Sequence, residues 1–109
     1  MNDTGAHAAR ISQLHEDYLK RILSARVYDV SRETRLHDAP LLSARTGNRV
    51  LLKREDEQPI FSFKCRGAFN RIHALMQRET LSGVIAASAG NHAQGVALAA
   101  EHLGLTALI

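Results

Sequence analysis

Two short stretches of this chain carry residue types able to do chemistry, and each stands where a helix should begin. The first is Ser62-Phe63-Lys64-Cys65-Arg66-Gly67-Ala68. A lysine at a helix start meets the positive end of the peptide dipoles, with Arg66 two residues on and Phe61 and Phe63 beside it. All three features work against a charged ammonium. What they favour is a nucleophilic amine, suited to a Schiff base with a carbonyl compound. Gly67 permits close backbone packing. The plainer alternative is a solvated lysine at a helix terminus, the commoner fate of lysines. The second stretch is Ser88-Ala89-Gly90-Asn91-His92-Ala93-Gln94-Gly95. Ser88 or Asn91 can cap the helix that follows. Free loop N–H groups backed by the helix dipole form a site for a carboxylate or a phosphate. Asn91 adds an amide able to touch a ring oxygen. An ordinary capped strand-to-helix turn accounts for these residues equally well. Neither Gly-Lys-Ser/Thr nor Gly-x-Gly-x-x-Gly is present, so the two common nucleotide loops are excluded.

The elements that must position these residues follow from periodicity and breakers. Residues 1–10 are small and polar and read as a disordered tail, with residues 11–109 forming one domain. From Ile11, the recurrence of Leu14, Tyr18 and Ile22, with Leu19 and Leu23 beside them, predicts a helix ending near Ser24–Arg26. Val27–Pro40 is mixed, and Ala39-Pro40 breaks any helix. Leu41–Ala44 reads as a short strand, Thr46-Gly47-Asn48 as a turn and Val50–Lys53 as a strand. A polar loop, Glu55–Phe61, leads to an amphipathic helix over Lys64–Gln77, with Ala68, Phe69, Ile72, Leu75 and Met76 on one face. After Leu81-Ser82-Gly83, the apolar run Val84–Ala87 reads as a strand covered on both faces. A helix over Asn91–His102 should bury Ala93, Val96, Ala97, Ala100 and Leu103, and Gly104 should stop it. Thr106–Ile109 begins a third strand. This β-α-β-α-β order predicts an α/β fold with a parallel sheet, preceded by an N-terminal helix. Ligands in such sheets bind beyond the carboxyl ends of the strands. If the strands are neighbours, the loops Glu55–Phe63 and Ser88–Gly90 face one crevice. A buried-type strand at Thr106–Ile109 with nothing after it marks the sequence as a fragment of a longer protein.

Composition removes several classes. The 109 residues carry a net charge of +3, but the basic residues are scattered, with no basic stripe interleaved with aromatics, so nucleic acid is not the expected partner. No apolar run approaches the ~18 residues of a membrane span. Cys65 is the single cysteine, so neither an intrachain disulfide nor a cysteine zinc site is expected, and it reads as a small buried filler. The six histidines show no His-Glu-x-x-His spacing, and His92 alone falls in the expected crevice. No metal is predicted. Met1–Ala9 does not read as a signal peptide, and a cytoplasmic setting is expected.

Ser62-Phe63-Lys64 with Arg66-Gly67-Ala68, and then Ser88–Gly95 after an apolar strand, resemble the threonine/serine dehydratases of the fold-type-II (tryptophan synthase β-like) pyridoxal-phosphate enzymes. Lys53-Arg54-Glu55-Asp56 before a Gln-Pro pair is similar to the same family. The N-terminal helix followed by Ala25-Arg26-Val27-Tyr28 is most similar to its biosynthetic threonine dehydratases. The match runs from about Tyr18 to Ile109. The resemblance implies that Lys64 binds pyridoxal 5′-phosphate covalently and later moves the substrate's α-proton. It implies that Phe63 packs by the cofactor and that Asn91 bonds the 3′-oxygen of its ring. Ser88, Ala89, Gly90, Asn91 and His92 would cradle the substrate carboxylate. The implied reaction converts L-threonine to 2-oxobutanoate and ammonia, on the route to isoleucine, in a homo-oligomer. Two departures stand out. Cys65 replaces a larger aliphatic residue. The family's glycine-rich phosphate loop and the partner of the pyridine nitrogen are missing, so the chain alone is expected to be inactive and poorly folded. Within the fold, serine dehydratase or serine racemase are rivals. Outside it, the rivals are a non-catalytic α/β module that binds an anion, and a truncated product without function.

Overall fold

Proline and glycine write the helix boundaries of this chain. The computed structural model describes residues 17–109. The expected tail and the start of the first helix, with Ile11 and Leu14, lie outside them. Helix α1 occupies residues 17–24 of the described chain and ends where the sequence predicts. A 3-10 turn, Val27–Asp29, leads to strand β1 (Leu36–Asp38), helix α2 (Pro40–Thr46) and strand β2 (Leu51–Lys53). A second 3-10 turn, Glu55–Glu57, leads to helix α3 (Lys64–Met76). Strand β3 (Gly83–Ile85), helix α4 (Asn91–Leu103) and strand β4 (Thr106–Leu108) follow. No helix among the described residues is long and apolar enough to cross a membrane.

The α/β class and the β-α-β-α-β order are borne out, with α1 ahead of them. Two details differ. Leu41–Ala44, expected as a strand, lies within α2. Pro40 starts that helix, because a fixed φ and a missing N–H are harmless at the first helical position. Gly47 ends it in the left-handed region, at φ 66°. Ser43 locks the unit: its hydroxyl donates to the Ala39 carbonyl at 2.8 Å and accepts from the Val50 N–H at 2.9 Å. The second difference is in the sheet. β2 pairs antiparallel with β1, Leu36 opposite Lys53 and Asp38 opposite Leu51. The parallel sheet consists of β3 and β4, Gly83 opposite Thr106 and Ile85 opposite Leu108. The crossover between them is α4, and Gly104 closes it at φ 68°, as expected.

The core lies between α3 and α4 over the β3–β4 ribbon. Ala68, Phe69, Ile72, Val96 and Ala99 form it, with Val30 from the N-terminal side. Phe69 is sealed at 1% exposure, stacked on His73 and edge-on to His102. α3 buries the expected face except at its end: Leu75 is half-buried and Met76 exposed. In α4, Ala97 is exposed and Ala99 fully buried instead. The face toward α3 runs through Gly95, Val96, Ala99 and Ala100, small residues that let the two helix axes approach. Coverage of β3 is one-sided. Val84 is half-buried and Ile85 is 81% exposed on the opposite face.

Candidate functional site

Lys64 is the first residue of α3, as the sequence predicts. The approach to it is a tight turn. The Phe61 N–H donates to the Gln58 carbonyl at 2.8 Å, and Phe61 takes φ 55°. A non-glycine residue in that region costs ~1–2 kcal/mol. The turn brings Ser62 inside, at 5% exposure, where its hydroxyl accepts from the Lys64 N–H at 3.3 Å. The Lys64 side chain itself is exposed, with Nζ 5.4 Å from the centroid of the Phe63 ring. Two features expected to press on the amine are absent. Phe61 and Phe63 are 80% and 58% exposed and bury nothing there. Arg66 is turned away and engaged elsewhere.

Its partner is Glu55. The guanidinium grips the carboxylate through both oxygens, Nε to Oε2 at 2.9 Å and Nη2 to Oε1 at 3.1 Å. It also donates to Ser31 Oγ at 3.2 Å and to the Arg32 carbonyl at 3.5 Å, and lies 5.3 Å from the Tyr28 ring centroid. Gln58, 1% exposed, completes the cluster. Its Oε1 accepts from the Arg32 N–H at 3.0 Å and its Nε2 donates to the Arg32 carbonyl at 2.9 Å. The Arg66 bond holds the Glu55 carboxyl below the usual carboxylate range, and Glu55 in turn raises the already high Arg66 value. Cys65, fully buried between these groups, donates weakly to the Ser62 carbonyl. Burial, its largest influence, pushes the thiol up, so it is the inert filler expected.

Sequence reasoning gave Glu55 and Gln58 no individual role, and gave Arg66 only a charge acting on Lys64. Their partners lie 11 to 35 residues away, and separations of that size leave no periodic trace. The available signal was a glutamine beside a proline in a stretch otherwise crowded with charge.

The second stretch begins α4. Its cap is Gly90, in extended backbone and without a side-chain cap bond. Neither Ser88 nor Asn91 caps the helix, contrary to expectation. Ser88 Oγ accepts instead from the Gly90 N–H, at 3.4 Å, and Asn91 is the first helical residue. Gly90, Asn91 and His92 are exposed, so the first turn presents its N–H groups and the positive helix end outward.

Gly95 joins the two stretches. A Cβ built there would lie 2.9 Å from the Lys64 carbonyl oxygen and 3.3 Å from Ala68 Cβ. Only a glycine lets α4 press on the first turn of α3 in this way. The two motifs are therefore brought together by helix packing, and not by neighbouring strands as expected, since β2 and β3 belong to different sheets. His92 and Val96 of α4 line a small cleft with Gly67 and Arg71 of α3. Among the described residues, no cluster of histidine, cysteine and carboxylate side chains could hold a metal.

A family model described as pyridoxal-phosphate dependent enzyme matches residues 27–109. The L-threonine dehydratase biosynthetic IlvA of Pasteurella multocida is 61% identical over 93 residues, which cover 85% of this chain and 18% of that protein. The processed form of threonine deaminase isoform 2 from Solanum lycopersicum superposes with a TM-score of 0.81 at 51% identity, over 88% of this chain and 28% of that one. A pyridoxal 5′-phosphate-dependent aspartate racemase superposes with a TM-score of 0.76 at 31% identity, over 82% of this chain and 29% of that one. The chain thus spans under a third of the length of these proteins.

Proposed function

The chain belongs to the pyridoxal-phosphate dependent enzymes, and from that premise we propose that it carries the cofactor lysine and the substrate-carboxylate loop of an L-threonine ammonia-lyase. The reaction converts L-threonine to 2-oxobutanoate and ammonia; one water is lost in the elimination and one consumed in the hydrolysis. It supplies carbon for isoleucine. The setting we assign is cytoplasmic and homo-oligomeric, with an amino acid as the small-molecule partner and neither nucleic acid nor membrane involved. The names of the biosynthetic relatives support threonine as substrate. The racemase likeness keeps serine dehydration and serine racemisation as the readings to test against it.

The residues present fit the cofactor. An exposed primary amine heads α3 with an aromatic ring beside it, and an uncapped helix end heads α4. When bound, pyridoxal phosphate supplies a carbonyl carbon for amine attachment and a conjugated ring that accepts the electron pair released at Cα. Lys64 Nζ would hold the group, and as a free amine it would take the proton from the substrate Cα. Phe63 would pack by the cofactor, and the Asn91 amide would bond its 3′-oxygen. The N–H groups from Ser88 to His92, with the α4 dipole behind them, bind the carboxylate and fix the orientation of Cα.

The single observation that carries this reading is the contact of Gly95 with the Lys64 carbonyl, which ties the amine-bearing turn to the anion-binding one. Borohydride reduction of the protein isolated from its source, followed by peptide mapping, tests it. A pyridoxyl group on Lys64, with turnover of L-threonine exceeding that of L-serine and D-serine, is the expected result. An unlabelled Lys64 in cofactor-loaded protein would sink it.

A further inference from the structure

We infer that Arg66, Glu55 and Gln58 form a clamp that sets the direction in which the Lys64 amine leaves the protein, making them positioning residues for the attachment lysine; this rests on the reading of Lys64 given above. Lys64 has few restraints of its own. Its N–H is held by Ser62 Oγ and its carbonyl faces Gly95, but its side chain is exposed and meets only the exposed ring of Phe63. With that side chain otherwise unrestrained, what the fold sets is the direction in which it leaves α3, through the rotation of the first turn about the helix axis.

That rotation is read out by the next two residues, each about 100° further round the helix. Cys65 points inward and is fully buried. Arg66 is held by two bonds to one carboxylate and by a third to Ser31. A planar fork on a carboxylate resists twisting in a way a single bond does not. The other end of the clamp is equally firm. Gln58 bonds both the N–H and the carbonyl of Arg32 and also donates to Glu55, which fixes where the carboxylate stands. Among the described residues, no buried side-chain polar atom lacks a partner, so a rotation that broke the Gln58 bonds would leave buried polar groups unpaired. At the ~6 Å radius of a helix with its side chains, a turn of about 10° displaces the amine by about 1 Å. A displacement of that size costs a reaction about 100-fold.

The test compares the unaltered holoenzyme with Glu55→Gln, Arg66→Lys and, as control, Arg35→Gln, which breaks the exposed Arg35–Glu57 pair. Each protein is measured well below its unfolding temperature for kcat and KM on L-threonine. The induced circular dichroism of bound cofactor per borohydride-trapped Lys64 is measured alongside; it reports orientation without turnover. The clamp predicts that Glu55→Gln and Arg66→Lys lower kcat about 10-fold to 100-fold, with KM changed by less than about 3-fold. It also predicts that the dichroism per trapped lysine changes in both and not in Arg35→Gln. Unaltered kcat and dichroism in the folded variants overturn the clamp, as does a loss of activity that only follows the loss of folded protein. If either variant does not fold, Ser31→Ala, which removes one Arg66 bond without touching charge, replaces it on the same readings. An unaltered enzyme without label on Lys64 overturns the reading of the lysine itself, and the clamp with it.

Discussion

Phe69, Cys65 and Ala99 are sealed between α3 and α4, whereas in the β1–α2–β2 unit Leu41 is 88% exposed and Leu36 62%. Both regions are rich in aliphatic residues, so composition does not separate them. The α3–α4 pair stands on contiguous small and large residues that interlock over β3 and β4. The β1–α2–β2 unit has no buried residue in any of its elements, and it packs against no other element among those described. Its shape comes from a strand ladder, the Ser43 bonds and the caps of a seven-residue helix. Hydrogen bonds exchanged with water give little net stability, while apolar burial gives most of it. The lesson is that the region bearing Lys64 and the Ser88–Gly95 loop owns its interior, and the region before it has a form without one.

The contrast can be broken at its strongest point first. Phe69→Ala should cost the holoenzyme ~3–5 kcal/mol, the usual loss for emptying a sealed aromatic site. Urea unfolding followed by far-ultraviolet circular dichroism measures it, and a loss within the noise would mean that the α3–α4 core is not what holds the region. Gly95→Ala sharpens the picture at the site. The new Cβ meets backbone at 2.9 Å, which cannot move aside as a flexible side chain can. About 1–3 kcal/mol of stability should go, and borohydride trapping at Lys64 in the holoenzyme should fall with it. Trapping at the unaltered level would separate the helix contact from the lysine's placement. The smallest effect belongs to the other region: Leu41→Ala should change the stability of the holoenzyme by less than ~0.5 kcal/mol in the same urea experiment. A larger loss would show that α2 has an apolar partner after all.

Legibility from sequence divides along the same line. α3 and α4 show a helical apolar period, and β3 and β4 are short apolar runs beside glycine turns, so all four were readable. So were Lys64 at a helix start and the Ser88–Gly95 turn, because their residue types and spacing are local. Of the β1–α2–β2 unit only β2 and the turn before it were, as the run Val50–Lys53 after Thr46-Gly47-Asn48; β1 and α2 were not. Leu36-His37-Asp38 has too little apolar alternation to announce a strand. Pro40 was taken for a breaker when it starts a helix, since proline does either depending on which side the helix lies. The choice of β1 as the partner of β2 is a long-range pairing that no local pattern encodes. The Glu55–Arg66 pairing was hidden for the same reason, and the orientation of Arg66 away from Lys64 with it.

The meeting of Gly95 with the Lys64 carbonyl also bears on the order in which this protein takes shape. The two residues lie in consecutive helices joined by the connection that holds β3, so both belong to one unbroken stretch of chain and can meet once that stretch is made. During synthesis, domains order from the amino end as they emerge. The turn that bears the amine can thus be braced by α4 as soon as β4 is made. The reactive lysine would then be among the first groups of the protein to be set in place.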